Sequence, residues 1–368
     1  MNKKISILHF SQVNGGVERY LKLFLKFSNK EQFTNSIISP QKDNYATHSG
    51  LIKNFYEVDI DQSFSIAKLV KNILNIRQII LKEKPDILYL HSTFAGVIGR
   101  AAALGCKCKV VYNPHGWSFK MNVSLLKTTI YKIIEKILSL FTDKFILISK
   151  SEYNSAKEIT NSEKKLALVY NGIDVDLNAA IDLDLNLDNK YVIGMVGRIS
   201  EQKNPLFFVE FAKLICKKYP NTFFIIVGSG EQLDLVEQKI EEYGLSENFL
   251  ITGWVCNPES YIKLFDQAVL FSKWEGFGFA VAEYMLYKKP IIINDIDGMS
   301  ELITHLADGV KIQPENLSEA SEFSHMIREH SELAEKLGNE AYNTVIKSFS
   351  AKDKVQQMES LFIDLVRI

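Results

Sequence analysis

Several common signatures are missing from these 368 residues. Only four are cysteines, too few for a disulfide-stabilised fold of this length, and no Cys or His pairs are spaced for zinc. No apolar run approaches the roughly 20 residues of a membrane-spanning helix. The first residues pass into a strand-like run without the apolar core of a signal peptide. We therefore expect a cytoplasmic globular protein with free thiols.

Length and the order of elements predict two domains of the same architecture. The 46% hydrophobic and 24% charged residues are typical of globular proteins, and 368 residues exceed one ordinary core. Short apolar strands alternate with helices, which indicates parallel sheets covered on both faces. The predicted parts are a Rossmann-like domain over residues 1–177, an acidic linker over 178–190, a second Rossmann-like domain over 191–350 and a helix over 351–368.

The overall charge of −1 conceals two halves of opposite sign. Residues 1–176 carry a net charge of +10, from 25 basic and 15 acidic side chains, whereas residues 177–368 carry −11. A basic half favours an anionic partner. No nucleic-acid-binding motif is present, so we expect no nucleic acid and favour a membrane surface or a phosphorylated lipid.

One segment of the basic half has two interpretations. Residues 120–141 carry apolar side chains at helical spacing beside several lysines. The apolar positions are Ile130, Ile133, Ile134, Ile137, Leu138 and Phe141, and the lysines are Lys127, Lys132 and Lys136. The pattern fits a helix packed in the core, and the alternative is a basic amphipathic helix lying on the inner face of a membrane.

Loops that follow strands are the places where parallel sheets bind ligands. After the first strand, Gly15 and Gly16 form a turn at a helix N-terminus, which lets the backbone approach a ligand. His115 follows a later strand, between Pro114 and Gly116. Its imidazole could donate to a phosphate or a sugar hydroxyl there, and ordinary structural roles remain open for both features.

In the second half, a cationic loop follows a strand and runs into a helix. Gly197 permits tight packing, Arg198 and Lys203 supply two positive charges, and Pro205 begins the helix. Arginine binds phosphate oxygens bidentately and lysine acts as a point charge, so the loop suits a diphosphate. Gly228 lies in a second glycine-containing turn after a strand, where the backbone can approach a ligand closely.

Two glutamates eight positions apart form the most informative stretch. Glu275 ends a strand-like run, a Gly-Phe-Gly-Phe turn through Phe277, Gly278 and Phe279 follows, and Glu283 lies on the next helix. Glu283 can accept from the two hydroxyls of a ribose, and Glu275 from a sugar held against the loop amides.

Asp295 and Asp297 have the spacing of a metal-binding acidic pair. The same spacing recurs elsewhere in this chain, so the pattern carries little information. We predict no metal site.

Together these residues resemble the retaining GT-B glycosyltransferases of family 4 over nearly the whole chain. Glu275 and Glu283 match the Glu-x7-Glu signature of that family. The other matching stretches are Gly15-Gly16-Val17-Glu18, His115-Gly116, Asn171-Gly172-Ile173-Asp174 and Gly197-Arg198 with Lys203. The resemblance implies an α/β fold with two Rossmann-like domains facing a central cleft. The first would lie on the acceptor side, the second would bind the nucleotide-sugar, and the C-terminal helix would cross back to the first.

The resemblance also implies a role for each matching residue. The diphosphate would bind Arg198 and Lys203, the ribose Glu283, and the donor sugar Glu275 together with the loop backbone. His115 would reach that sugar from the first domain. The implied catalytic residues are His115, Arg198, Lys203 and Glu275. The implied donor-binding residues are Gly15, Gly16, Gly197, Gly228, Phe277, Gly278, Phe279 and Glu283.

The implied reaction is the metal-independent, cofactor-free transfer of a sugar, with retention, from a nucleotide-diphosphate sugar to a glycan hydroxyl. UDP is the favoured nucleotide, and the favoured acceptor is a lipid-diphosphate-linked glycan in bacterial O-antigen, capsule or exopolysaccharide synthesis. The enzyme would be cytoplasmic and could be peripheral on the inner membrane face. Two alternatives stay open: a sugar-nucleotide epimerase on the same fold, and a catalytically silent, transferase-like binding subunit.

Overall fold

The computed structural model describes residues 3–11, 15–58, 65–120, 124–176, 181–296 and 298–367. The chain divides into two compact units, Met1–Gly172 with Ala351–Ile368, and Ile173–Ser350. Asp297 and residues 178–180 of the predicted linker lie outside the described residues.

Each unit is built on one parallel sheet, as the alternating pattern predicts. The strands of the first unit are β1 (Ile5–Ser11), β2 (Phe33–Ser39), β3 (Ile52–Glu57), β4 (Ile87–His91), β5 (Lys109–Asn113), β6 (Lys144–Leu147) and β7 (Leu166–Leu168). Those of the second are β8 (Tyr191–Val196), β9 (Thr222–Val227), β10 (Phe249–Ile251), β11 (Gln267–Leu270), β12 (Ile291–Asn294) and β13 (Val310–Ile312).

Helices cover both sheets. The first unit contains α1 (Gly16–Phe27), α2 (Ile66–Glu83), α3 (Thr93–Ala102), α4 (Leu125–Ser139) and α5 (Lys150–Ala156). The second contains α6 (Pro205–Lys218), α7 (Leu233–Glu242), α8 (Pro258–Ile262), α9 (Phe279–Leu286), α10 (Leu317–Glu329) and α11 (Ser331–Ser348). The last helix, α12 (Ala351–Arg367), belongs to the first unit. Short 3-10 turns occupy Asp43–Leu51, Ser118–Lys120, Glu163–Lys165, Glu201–Lys203, Ser246–Asn248 and Gly298–Glu301.

Both sheets reverse their strand order at an internal position. Over the described residues the first sheet runs β3-β2-β1-β4-β5-β6-β7 and the second β10-β9-β8-β11-β12-β13. The reversal lies between β1 and β4 in the first unit and between β8 and β11 in the second. Ligands bind beside the carboxyl ends of the strands at such a switch point. The α/β class predicted from sequence is confirmed.

The central strands are apolar at nearly every position because helices cover both of their faces. Ile87, Leu88, Tyr89 and Leu90 of β4 are fully buried. The triple isoleucine of β12, 291–293, is fully buried in the same way. This burial fixes the strand ends, and with them the loops that carry the predicted site residues.

Helix α12 packs against α1 within the first unit. The Phe24 and Phe362 ring centroids lie 6.3 Å apart, and both side chains are buried. Glu359 Oε1 accepts from the backbone N–H of Asn29 at 2.7 Å and from Ser28 Oγ at 2.9 Å. These contacts hold the final helix within the first unit.

Candidate active site

The loops after β8 and β11 meet at the switch point of the second unit. Lys203 Nζ donates to Glu275 Oε2, and both side chains are about 15% exposed. Two further contacts tie the loops together: Gln202 Nε2 donates to Trp274 O at 3.0 Å, and the Lys273 N–H donates to Gln202 O at 2.8 Å. The structure therefore brings together two predicted site residues from separate loops.

A buried tyrosine holds the end of β8 beside α9. The Tyr284 hydroxyl accepts from the Val196 N–H at 2.6 Å, and Tyr284 is fully buried. Arg198 follows two residues later and is exposed. Its guanidinium is accessible to an anion at the same edge of the sheet that carries Lys203.

The predicted close approach at Gly228 is to the protein's own backbone. Gly228 has φ +148°, and a Cβ there would lie 2.0 Å from Gly197 O. The Gly197 N–H donates to Val227 O at 3.0 Å. A Cβ at Gly197 would lie 3.4 Å from the Lys203 side chain. These glycines let the loops after β8 and β9 pack together, and their contact with a donor stays a prediction.

The turn between the two glutamates places one aromatic ring inside the unit. Phe277 is only 3% exposed, and its ring packs edge-to-face against Phe279 at 5.3 Å and Phe349 at 5.7 Å. Gly278, at φ +90°, precedes the first turn of α9. The Phe277 ring is therefore in the core and Phe279 is half-buried, while contact of this turn with a donor stays a prediction.

Glu283 lies on α9, one turn beyond the helix start, and is 8% exposed. The first N–H groups of a helix have no partner within it and carry partial positive charge. This end of α9 follows the loop that carries Glu275. The second unit thus offers a lysine, an arginine, a helix N-terminus and two carboxylates at one edge of its sheet.

Asp295 makes local contacts. Its Oδ1 accepts from Ser300 Oγ, which in turn accepts from Lys311 Nζ at 3.0 Å. Among the described residues no group of three or more His, Cys, Asp or Glu side chains is arranged to hold a metal. Asp297 is outside those residues.

In the first unit, the predicted glycine turn and His115 lie at the carboxyl ends of strands. Gly15, at φ +78°, caps α1, and a Cβ there would meet no atom of the described residues within 4 Å. His115 follows β5 with φ +50°, and its backbone N–H donates to Asn113 Oδ1 at 3.0 Å. Its ring packs edge-to-face on Tyr20 at 4.7 Å.

Two buried histidines that sequence reasoning missed connect to His115. His91 Nδ1 lies 3.1 Å from His115 Nε2, and His91 Nε2 lies 3.2 Å from His9 Nδ1. Burial lowers the pKa of His9 to about 4 and that of His115 to about 3. All three rings are therefore neutral at neutral pH, since burial also lowers the pKa of His91. They lie on or just after β1, β4 and β5, which are neighbours in the sheet.

Helix α4 exposes its apolar residues and buries a glutamate. Glu135 Oε2 lies 2.8 Å from Arg100 Nη1 on α3, and both side chains are at most 1% exposed. The exposed apolar residues are Leu125, Leu126, Ile130, Ile133 and Ile137, followed by Leu140 and Phe141 beyond the helix end. The core-helix interpretation is therefore wrong for Ile130, Ile133, Ile137 and Phe141, whereas Ile134 and Leu138 of the same stripe are half-buried.

That exposed apolar surface is not a membrane span. In the parts of the chain that the structure describes, no helix has the length and apolarity to cross a bilayer. Lys127 and Lys136 are exposed on the same helix. An exposed apolar row beside lysines is typical of a helix that lies on a surface.

Two family models match consecutive parts of the chain. Glycosyltransferase Family 4 matches residues 14–177, and Glycosyl transferases group 1 matches residues 180–344. Together the two matched ranges cover most of both units, so the similarity extends well beyond the predicted site residues.

Two curated proteins of Escherichia coli are similar to this chain. The UDP-Gal:alpha-D-GlcNAc-diphosphoundecaprenol alpha-1,3-galactosyltransferase is 27% identical over 383 residues, which covers 99% of this chain and 98% of that protein. The O-antigen biosynthesis glycosyltransferase WbnH is 29% identical over 271 residues, covering 73% of this chain and 75% of that protein.

Two solved structures share the fold. HepE of Anabaena, in complex with UDP and glucose, superposes with a TM-score of 0.82 at 18% identity, over 98% of this chain and 100% of that one. Sucrose-phosphate synthase of Thermosynechococcus elongatus superposes with a TM-score of 0.85 at 16% identity, over 98% and 99%. At these identities the likeness establishes the architecture of the chain.

Proposed function

This chain belongs to the GT-B glycosyltransferases, with a family 4 domain followed by a group 1 domain, and we propose that it transfers a sugar from UDP-sugar to a lipid-diphosphate-linked glycan. The observation that carries the proposal is the Lys203–Glu275 ion pair at the switch point of the second unit. It gathers a cation for phosphate and a carboxylate for sugar hydroxyls where a parallel sheet binds its ligand.

The donor lies along this edge of the second unit. Arg198, which is exposed, and Lys203 bind the diphosphate, while Glu283 accepts from the ribose hydroxyls. Glu275 accepts from hydroxyls of the transferred sugar. Glu275 pairs with Lys203, so an incoming diphosphate competes with this carboxylate for the lysine.

Charge development explains why cations and a helix start are gathered here. Cleavage of the anomeric C–O bond leaves positive charge on the sugar and negative charge on the departing UDP. Arg198, Lys203 and the N-terminal turn of α9 stabilise that negative charge as it forms. The acceptor hydroxyl attacks the face that UDP leaves, a diphosphate oxygen takes its proton, and the anomeric configuration is retained.

No metal takes part in this proposal, because the two cations and the helix start supply the positive charge at the leaving group. Running the reaction in EDTA and with added Mg²⁺ tests metal independence, and a rate that EDTA abolishes and Mg²⁺ restores would overturn it.

The names of the relatives support the proposed donor and acceptor classes. The similar E. coli galactosyltransferase is named for UDP-Gal and a diphosphoundecaprenol-linked sugar, and WbnH is named for O-antigen biosynthesis. The HepE complex with UDP supports the same nucleotide. We extend these classes to this chain: a UDP-hexose as donor and a polyprenyl-diphosphate glycan as acceptor, in bacterial surface-polysaccharide synthesis.

An acceptor held in a membrane requires an enzyme that reaches the membrane surface. The exposed α4 row supplies that contact: its apolar side chains enter the interface, and Lys127 and Lys136 meet anionic headgroups. The buried Arg100–Glu135 pair anchors the opposite side of the helix. The partner of this face is an anionic lipid surface, in keeping with the +10 charge of residues 1–176.

Nucleotide release from a panel of UDP-hexoses and GDP-hexoses, with and without bacterial lipid extract, tests the proposal. We expect release of UDP that depends on the lipid fraction. Conversion of the donor without any acceptor would identify an epimerase, and binding without conversion would identify a silent subunit. Either result would overturn the assignment.

A further inference from the structure

A row of hydrogen bonds runs through the interior of the first unit from α12 to His115. It begins at Glu359 Oε1, which accepts from the Asn29 N–H at 2.7 Å and lies 2.9 Å from Ser28 Oγ. A carboxylate oxygen only accepts, so the Ser28 hydroxyl is the donor to Glu359. Ser28 Oγ is then free to accept from Asn35 Nδ2 at 3.2 Å.

The orientation of Asn35 fixes the tautomer of His9. With its amide nitrogen on Ser28, Asn35 presents Oδ1 to His9 Nε2 at 3.1 Å. A carbonyl oxygen only accepts, so His9 Nε2 carries the proton. The ring is neutral because burial holds its pKa near 4. His9 Nδ1 is therefore an acceptor.

The hydrogen bonds of His91 determine the tautomers of His91 and His115 in the same way. His91 Nε2, 3.2 Å from His9 Nδ1, must donate, which leaves His91 Nδ1 as an acceptor. His115 Nε2 lies 3.1 Å from that nitrogen and donates to it. His9 and His91 are completely buried, so water does not compete for these bonds. His115 Nδ1 is left without a proton.

His115 itself is held in one position. Its backbone has φ +50°, a left-handed conformation that few residues with a side chain adopt. The Asn113 side chain accepts from its N–H, and the Tyr20 ring packs against the imidazole. As a whole residue His115 is half-buried, whereas the two histidines behind it are completely buried.

We propose that His9 and His91 are positioning residues that hold His115 in its Nε2–H tautomer, so that Nδ1 accepts a hydrogen bond from a substrate hydroxyl. The tautomer of His115 does not depend on the proposed function, whereas the identity of the substrate hydroxyl rests on the proposed transfer reaction. In this role His115 accepts a hydrogen bond from the substrate, in place of the donation to a phosphate or a sugar hydroxyl that its position in the sequence suggests.

Imidazole ¹⁵N–¹H correlation spectra of histidine-labelled protein at neutral pH measure the tautomer directly. We expect one state for His115, with Nε2 protonated and Nδ1 unprotonated. In His91→Leu the partner is lost, so His115 should sample both tautomers, and kcat should fall about tenfold with a smaller change in donor KM. His91→Gln is the matched variant: its amide can donate to His9 and accept from His115, and should restore the single tautomer and most of kcat.

An Nδ1–H tautomer at His115 in the unmodified protein would overturn the proposal, as would a single unchanged tautomer in a folded His91→Leu variant. If that variant does not fold, the spectrum of the unmodified protein still decides. Failure of the proposed transferase function would appear as absent turnover with the expected spectrum, so the two failures are distinguishable.

Discussion

Lys203 and Glu275 form an ion pair that joins the loop after β8 to the loop after β11. The two residues are 72 positions apart in the chain and meet only because β8 and β11 are neighbours in the sheet. One is expected to bind the diphosphate and the other the transferred sugar. Binding of the donor must therefore separate them or rearrange their contact.

Glu275→Gln should separate nucleotide binding from transfer. Removing the carboxylate charge frees Lys203 for phosphate, so UDP affinity should stay the same or rise. The weaker acceptor for sugar hydroxyls should lower kcat by about tenfold. Calorimetry with UDP and steady-state kinetics with UDP-sugar measure the two effects.

Glu201→Gln is the matched control. Glu201 lies in the same loop as Lys203, and its carboxylate forms a long ion pair with Lys273, at 3.8 Å. It should change neither quantity. Parallel loss of UDP affinity and turnover in Glu275→Gln would contradict the assignment of Glu275 to the sugar.

Glu283→Ala and Arg198→Ala should differ in which kinetic parameter they change. Glu283 meets the ribose equally in ground and transition states, so its loss should raise the donor KM by roughly tenfold to a hundredfold. Arg198 meets charge that grows as UDP leaves, so its loss should mainly lower kcat. Initial-rate kinetics over a range of donor concentrations distinguish the two, and Glu237→Ala on the exposed face of α7 serves as control. Wild-type kinetics in both variants would remove these assignments.

Gly228→Ala should destabilise the second unit and impair donor binding. Its Cβ would lie 2.0 Å from Gly197 O at a backbone angle unsuited to alanine, so the loop must shift. We expect a loss of about 1–3 kcal/mol in the free energy of unfolding and a raised donor KM. Gly50→Ala, where a Cβ meets nothing within 4 Å, is the control for thermal melting. Equal melting of the two variants would show that the loops do not depend on this contact.

The double variant Ile133→Glu, Ile137→Glu should weaken attachment to anionic liposomes by tenfold or more, given roughly 1.5–3 kcal/mol for each apolar side chain that leaves the interface. Both residues are about half exposed, so the fold should survive. Sedimentation at low salt measures attachment, with Leu235→Glu, a comparably exposed leucine of the second unit, as control. Undiminished sedimentation would place the membrane contact elsewhere.

The sequence allows the strands and the donor loops to be predicted because burial on both faces makes the central strands apolar throughout. The runs at β4 and β12 are examples, and the chemistry of the loops after β8 and β11 is legible from their glycines and charges. The Lys203–Glu275 contact could not be predicted, because it depends on strand order. His9 and His91 were missed for the same reason: they become a site only when β1, β4 and β5 lie side by side.

Helix α4 shows a different limit. Its apolar spacing fits a buried and a surface-bound helix equally, and periodicity does not reveal which side faces inward. The deciding interaction is the buried Arg100–Glu135 pair, whose partners lie on different helices. In most amphipathic helices the apolar face packs against the interior, whereas in α4 the charged Glu135 is the buried residue.

The most direct test of the donor site is a calorimetric titration of UDP into the unmodified protein and into Lys203→Met, with Lys273→Met in the neighbouring loop as control. A hydrogen-bonded charge contact to the diphosphate contributes about 1.5–3 kcal/mol, so Lys203→Met should bind UDP roughly tenfold to a hundredfold more weakly while the control binds normally. Equal UDP affinity in all three proteins would contradict a donor site at the Lys203–Glu275 pair.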